Sequence, residues 1–265
     1  MRNSEFPVAG IVSRDRAIVA TCISIVVALA WAYLIRLNSQ MGAHGSAHGS
    51  MPGMSMLPGA PNGFGELFLT FAMWSVMMVG MMTASAAPVI MLFTGMTEKR
   101  GDPRGSTKGM VFGLGYLAVW VSFSAAAALG QWGLQRALML SPEMSITNSI
   151  TAGVILISAG AYQLTPAKRA CLRQCQSPLG FLMANWRDGT GGAFEMGFRH
   201  GLFCLGCCWA LMLVLFVVGV MNLAWVAALT VFVLAEKLGR IGALFARAGS
   251  VVMIGFGALI LAMSP

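Results

Sequence analysis

Long apolar segments separated by short polar ones dominate the pattern of this chain. Seven stretches are apolar enough to predict membrane-spanning helices, which need roughly 20 residues to cross a bilayer. They cover residues 17–35, 64–93, 109–130, 147–165, 200–220, 222–240 and 248–263. We therefore expect an all-α protein, a polytopic transmembrane bundle of about seven helices.

The composition supports this expectation. Of the 265 residues, 57% are hydrophobic and only 10% are charged, whereas soluble domains carry about 25% charged residues. This is too little polar surface to keep a globule in water, so the composition argues against a soluble protein. The net charge of +8 comes from loop lysines and arginines and does not indicate a nucleic-acid partner.

The basic residues predict the orientation of the bundle. With the N-terminus inside, 15 of the 17 lysines and arginines fall in segments on the inner side, and only Arg36 and Arg136 lie outside. Because inner loops are enriched in basic residues, this distribution predicts an N-in, C-out topology. The same topology places the loop with Cys171 and Cys175 in the cytoplasm.

Four regions follow from the hydropathy pattern. Residues 1–16 form a cytoplasmic tail, residues 17–35 a first, uncleaved transmembrane anchor, residues 36–63 an extracytoplasmic linker, and residues 64–263 a helical core. The linker is rich in glycine, histidine and methionine from residue 38 onwards, which predicts disorder. Imidazole and thioether groups together also suit copper, and the candidate ligands are His44, His48, Met51, Met54 and Met56. A linker that merely has this composition is the alternative.

Three cysteines lie close together in the fifth apolar segment. Cys204 shares a helical face with Cys207 at i+3 and with Cys208 at i+4, so one turn presents up to three soft metal ligands. A lone membrane cysteine such as Cys22 packs as a small hydrophobic residue. Three within five residues favour a metal or redox site over packing.

Two more cysteines precede this cluster. Cys171 and Cys175 are four residues apart, which on a helix places both sulfurs on one face. We expect the neighbouring cations to favour the thiolate form that binds metals; they are Lys168, Arg169 and Arg173. Because the cytosol is reducing, metal binding or transient redox chemistry is a better interpretation than stable disulfides.

Glu236 and Lys237 follow the apolar run 223–235, which is too short to span a bilayer by itself. The helix is therefore expected to draw both charges into the inner part of the membrane, where unpaired charges are costly. Three roles are open for Glu236: a metal ligand, an acceptor for a thiol proton, or an ion-pair partner of Lys237 or an arginine.

The second apolar segment carries a methionine stripe. Met73, Met77 and Met81 recur every four residues, with Met78 and Met82 beside them. Thioethers bind Cu(I), although methionines at helical spacing also serve as ordinary core packing. Beside a thiol cluster, the candidate ligands of the stripe are Met77, Met78, Met81 and Met82.

Several of these motifs together resemble an uncharacterised bacterial family of predicted metal-binding integral membrane proteins, domain of unknown function 2182. The resemblance covers about residues 64–240. It rests on the segment from Trp74 to Met82 with Pro88, on Tyr162–Lys168, Cys171, Cys175 and Pro178, on Phe203–Trp209 with Leu211 and Met212, and on Met221–Asn222 and Glu236–Lys237. It implies a metal site in a multi-pass protein of the bacterial inner (cytoplasmic) membrane, without naming the metal.

The hypothesis from the sequence is a membrane-embedded protein that handles Cu(I), with zinc or another soft metal as the alternative cargo. The linker would capture copper, the methionines would pass it on, and the inner thiols would bind it most tightly. The expected partners are the lipid bilayer and a copper chaperone or a membrane cuproenzyme.

Two other classes of function remain open. One is a membrane thiol-redox enzyme with a reversible disulfide such as Cys171–Cys204, and the other is an accessory or assembly subunit of a membrane complex. The sequence contains no phosphate loop, serine–histidine–acid set or Rossmann glycine pattern, and three histidines are too few for a di-metal carboxylate–histidine enzyme. It therefore favours a binding or transfer protein over an enzyme.

Overall fold

All regular structure in the described part of the chain is helical. The computed structural model describes residues 14–44, 63–136, 146, 148–220 and 222–263. Within them lie nine helices: α1 (Arg14–His44), α2 (Gly63–Lys99), α3 (Gly105–Arg136), α4 (Ser149–Gln163), α5 (Pro166–Gln176), α6 (Pro178–Asn185), α7 (Gly189–Val218), α8 (Leu223–Glu236) and α9 (Gly239–Ala262). The all-α prediction is confirmed.

Five of these helices are long and apolar enough to cross a membrane, namely α1, α2, α3, α7 and α9. A sixth candidate is the pair α4–α5, which is bent by 61° at the break between its helices. α8 has 14 residues, about 21 Å at 1.5 Å per residue, and is shorter than a span. The described residues therefore contain five or six candidate spans where the hydropathy pattern predicts seven.

The outer surface of the bundle is apolar. Large hydrophobic side chains remain exposed along α1, α2 and α9, including Phe64 at 84% and Val251 at 72%. A monomeric protein in water rarely leaves such extended apolar surface uncovered. The surface is consistent with a multi-pass membrane protein whose solvent is lipid.

Two helix boundaries differ from the expected ones. α7 begins at Gly189 rather than near residue 200, so Cys204 lies near the midpoint of this 30-residue helix and not one turn from its start. α1 continues to His44, so the beginning of the expected disordered linker is helical. Hydropathy misses both because polar and small residues at a helix end lower the local average without ending the helix.

Local capping explains where the shorter helices begin. The Asn148 side chain accepts a hydrogen bond from the Thr151 amide of α4 at 3.0 Å, and Thr165 Oγ1 accepts one from the Lys168 amide of α5 at 3.2 Å. Pro166 follows Thr165 at the first position of α5, where its missing N–H costs nothing. Asn222 caps α8 in the same way, as the sequence predicts.

Glycines allow the helices around the core to approach closely. α3 packs along α7, and there a Cβ atom at Gly115 would overlap the Phe194 carbonyl oxygen while one at Gly197 would overlap that of Phe112. Small residues permit such backbone contacts in membrane helix pairs. The crossing brings Tyr116 of α3 against Cys204 of α7.

The first prediction concerns this crossing. Gly197→Ala should destabilise the protein by about 1–3 kcal/mol because the added methyl group meets the backbone of α3, which cannot rotate away. Gly191→Ala is the matched control on the same helix, since a Cβ atom there meets nothing within 4 Å. Thermal unfolding of the detergent-solubilised protein, followed by circular dichroism, measures both. Equal melting temperatures would contradict the close-packed crossing.

Candidate metal centre

Three cysteine sulfurs converge inside the bundle. Cys175 of α5 meets Cys204 and Cys207 of α7, and the three Sγ atoms lie within 4.8 Å of one another. All three residues are buried, at 9%, 0% and 2% exposure respectively. The i, i+3 spacing places both α7 sulfurs on one face, and α5 packs against that face. A single soft ion can contact all three sulfurs.

Cys208 lies at the margin of this group. Its Sγ donates a hydrogen bond to the Cys204 carbonyl oxygen at 2.9 Å, and Cys207 Sγ donates to the same oxygen at 3.0 Å. Cys208 is buried but does not belong to the three mutually close sulfurs. Cys208 is therefore a neighbour of the cluster and not one of its three close sulfurs.

Cys171 also lies beside the cluster and not within it. A Cβ atom at Gly206 would be 2.8 Å from Cys171 Sγ, so this half-buried thiol packs on the backbone next to Cys207. The Gly206 carbonyl oxygen accepts a hydrogen bond from the Tyr162 hydroxyl at 2.5 Å. All six cysteines, Cys22 included, are unpaired thiols in the structure.

A cation lies directly on the cluster. Lys237 Nζ, at the end of α8, donates to Cys204 Sγ at 3.1 Å and to Ser85 Oγ at 2.7 Å. The Tyr116 hydroxyl oxygen lies 3.1 Å from the same sulfur and 3.0 Å from the Met82 carbonyl oxygen. The ammonium group suits an anionic thiolate, whereas the phenol has a single proton, which it donates either to the sulfur or to the carbonyl oxygen.

The cations expected to favour thiolates are placed differently from the sequence prediction. The buried Lys168 Nζ donates to both carboxylate oxygens of Glu236, at 2.8 and 2.7 Å, and also contacts Gln163 Oε1. Arg169 and Arg173 are exposed. Lys237 of α8, rather than a neighbour in sequence, supplies the positive charge beside the thiols.

Glu236 takes the third of the roles that the sequence left open, with a different partner. Its carboxylate pairs with Lys168, not with Lys237 or an arginine, and the structure does not place it among the clustered sulfurs. The pair is nearly inaccessible to solvent, with side-chain exposures of 1% and 2%. Gln176 of α5 adds a hydrogen bond to the Glu236 carbonyl oxygen at 2.8 Å. Residues near both ends of α5 therefore fix the C-terminal end of α8, where Lys237 lies.

The methionine stripe of α2 ends next to Tyr116, which contacts Cys204. Met77, Met78, Met81 and Met82 are buried to 2% exposure or less, and Met73 to 7%. At 1.5 Å per residue, the distance along the helix from Met73 to Met82 is about 14 Å. The stripe ends at Met82, whose carbonyl oxygen also accepts a hydrogen bond from Ser85 Oγ.

Other candidates from the sequence lie elsewhere. His200, one turn before Cys204 on α7, is 2% exposed, and its ring packs on those of Phe181 and Tyr116 at centroid distances of 4.9 and 5.9 Å. His44 ends α1. The remaining linker candidates fall outside the described residues: His48, Met51, Met54 and Met56.

Sequence reasoning does not find Tyr116 and Ser85. Each is one of several hydroxyl-bearing or polar residues scattered along an apolar segment, on a helix other than the one that carries the clustered cysteines of α7. No spacing within either segment relates it to Cys204, so only the packing of α2, α3 and α7 reveals the contact. For Lys237 the sequence does indicate a contact, because a lysine drawn into the membrane needs a partner, but it does not identify that partner.

Comparison with known proteins assigns most of the chain to one family. The model of the PpoB2 family, described as a copper chaperone, matches residues 71–260, well over half of the chain. None of the curated proteins matches significantly, and neither does any solved structure. The match supports a copper-related family, under a different name from the domain of unknown function that the motifs resemble.

The second prediction concerns the buried ion pair. Glu236→Gln should cost about 3–5 kcal/mol of stability because it leaves the Lys168 ammonium buried without a counter-charge. Glu195→Gln, which breaks the exposed Arg187–Glu195 pair, should cost at most about 1 kcal/mol. Thermal unfolding in detergent compares the two variants, and similar losses in both would show that the Lys168–Glu236 pair is not desolvated as described.

Proposed function

The chain belongs to the PpoB2 family of copper chaperones, and from that premise we propose that it is a membrane protein that binds Cu(I) through Cys175, Cys204 and Cys207 and passes it to a partner. The observation that carries this proposal is the convergence of three buried sulfurs from two helices within 4.8 Å. Packing alone does not require buried thiols from two helices to meet at one point. The three sulfurs together form a ligand set for a single ion.

The donor set favours Cu(I) over zinc. Thiolates are soft ligands that select Cu(I) or Zn²⁺, but structural zinc takes four ligands in a tetrahedron. The mutually close sulfurs number three in the described chain, a number that Cu(I) accepts. Zinc would need Cys208 to reorient as a fourth ligand.

Lys237 compensates part of the negative charge that a copper-loaded site would carry. Three thiolates and one Cu(I) ion carry a net charge of −2, which is costly away from water. The Lys237 ammonium, 3.1 Å from Cys204 Sγ, lowers the net charge to −1. Lys237 therefore acts as the counter-charge of the loaded site and, beside free Cys204, keeps that sulfur ready to bind.

The peripheral thiols give the site a way to transfer its cargo. Cys171 and Cys208 flank the three clustered sulfurs, and Cys171 is the more accessible of the two. Soft ions move between thiolates by ligand exchange, in which an incoming sulfur binds before an outgoing sulfur leaves. In our proposal Cys171 is the ligand through which an acceptor protein draws copper out.

The methionines of α2 provide the route from the opposite side. A small cavity, of about 20 Å³, lies at the far end of the stripe and is lined by Asn38, Met73 and Met77, among others. Asn38, the lining residue from α1, is close in sequence to the His/Met linker. We propose that the linker captures copper and that the thioethers carry it along α2 to the thiols.

Membrane topology completes the proposal. The distribution of basic residues supports an N-in, C-out chain, which we place in the bacterial inner membrane. This orientation needs seven crossings, so the proposal has the chain cross at the α4–α5 pair and also at α8, although α8 is shorter than a regular span. The thiol cluster then receives copper from the extracytoplasmic linker. Its partner is a cytoplasmic copper acceptor or a membrane cuproenzyme.

The third prediction tests the ligands. Full-length protein purified under reducing conditions from copper-replete cells should hold about one copper ion per chain, and the variant with serine at Cys175, Cys204 and Cys207 should hold almost none. Competition with a Cu(I) chelator should show that the affinity falls by more than about 100-fold. Changes to residues that only support the ligands lower the affinity by at most about that factor, so a larger loss identifies the cysteines as ligands. Elemental analysis gives the metal content.

Cys22→Ser is the matched control, because Cys22 is an exposed thiol on α1, remote from the cluster. It should retain copper. Equal copper in the triple-serine variant and the wild type would defeat the proposal. A reversible disulfide among the clustered cysteines in metal-free protein, detected by differential alkylation, would instead favour the thiol-redox function.

The fourth prediction isolates the counter-charge. Lys237→Met should keep the copper stoichiometry but weaken Cu(I) binding by about 10–100-fold, as losses behind a metal ligand do. Lys99→Met, a change of an exposed lysine at the end of α2, should leave the affinity unchanged. Chelator competition measures both. Unchanged or tighter binding in Lys237→Met would show that Lys237 does not stabilise the loaded site.

A further inference from the structure

A polar cavity, separate from the thiol cluster, lies beside α5. Its volume is about 220 Å³, and it opens between the α4–α5 pair and α9. Its wall is formed by Gln163, Leu164, Lys168, Arg169, Leu172, Arg173, Gln176, Ala243, Ala246 and Arg247. This wall includes four basic residues and neither aspartate nor glutamate.

The arginines of this cavity have no acidic partners in the described part of the chain. Arg169 and Arg173 come from α5 and Arg247 from α9, and none of them forms an ion pair there. Other cations of the structure do, as in the pairs Lys108–Asp102 and Arg187–Glu195. Three guanidinium groups from two helices therefore share one cavity, and no described acidic residue supplies a counter-charge to them.

The buried wall of the cavity adds no further free charge. Lys168 is neutralised by Glu236. The Gln163 side chain is 3% exposed, its oxygen is occupied by Lys168, and its amide lies beside the Glu236 carboxylate. The three arginines are therefore the cations of this wall that remain to bind an anion.

We propose that this cavity binds a phosphate group. Guanidinium groups form paired N–H···O bonds with phosphate oxygens, and their planar geometry suits a site built from several arginines. The charge topology places the cavity at the inner side of the membrane, where basic pockets between helices meet anionic lipid headgroups. A phospholipid headgroup and free inorganic phosphate offer the same chemistry.

The test uses full-length protein stripped of lipid in a neutral detergent. Native mass spectrometry compares the binding of phosphatidylglycerol with that of phosphatidylcholine to the wild type and to two double variants of equal charge. Arg173→Gln with Arg247→Gln should weaken phosphatidylglycerol binding about tenfold for each arginine. Lys99→Gln with Arg104→Gln, which removes two exposed cations outside the cavity, should leave the binding unchanged. Circular dichroism confirms that the variants fold.

The outcomes separate the sources of the phosphate group. Displacement of phosphatidylglycerol by millimolar inorganic phosphate would show that the phosphate group alone is recognised, while retention would assign the site to a lipid headgroup. Arg173→Lys with Arg247→Lys checks the role of the paired bonds and should lose part of the affinity although it keeps the charge. Equal losses in both double-glutamine variants, or no preference for phosphatidylglycerol in the wild type, would overturn the proposal. None of these readouts depends on copper.

Discussion

The contact between the Lys237 ammonium and the Cys204 sulfur governs the organisation of this protein. A cation within an apolar bundle is costly unless an anion or strong acceptors surround it. The nearby carboxylate, that of Glu236, is occupied by Lys168, so Lys237 relies on Cys204 and Ser85. A charged lysine favours a charged sulfur, and a charged sulfur is the form that binds metal. Lys237 therefore stabilises the metal-free site and, in our proposal, also balances part of the charge of the loaded site.

This contact needs support from a second pair. Glu236 and Lys237 are adjacent, yet they serve different partners on different helices. Lys168 and Gln176, near the two ends of α5, both hold Glu236 and so fix the end of α8 where Lys237 begins. Removing the buried pair would cost stability and would also release the cation that faces the thiols. The stability of the bundle and the geometry of the site are therefore linked through α5.

The sequence predicts the part of this arrangement that lies within single helices. Cys204 and Cys207 share a face because of their spacing, and the methionine stripe follows from the helical period in the same way. What α5 contributes does not follow from spacing. Cys171 and Cys175 are equivalent by that criterion, yet Cys175 joins the cluster and Cys171 stays beside it. The difference comes from the way α5 packs against α7, which the spacing along α5 does not determine.

α5 runs at 61° to α4 and carries different residues on its two sides. It has 11 residues, and its buried side presents Cys175 to the α7 sulfurs while its exposed side carries Arg169 and Arg173. A straight continuation of α4 would place these arginines along a transmembrane axis, where their charges would be costly. Turning the helix keeps the arginines at the polar edge and still delivers a thiol to the interior. One change in direction thus places Cys175 among the buried sulfurs and leaves Arg169 and Arg173 exposed.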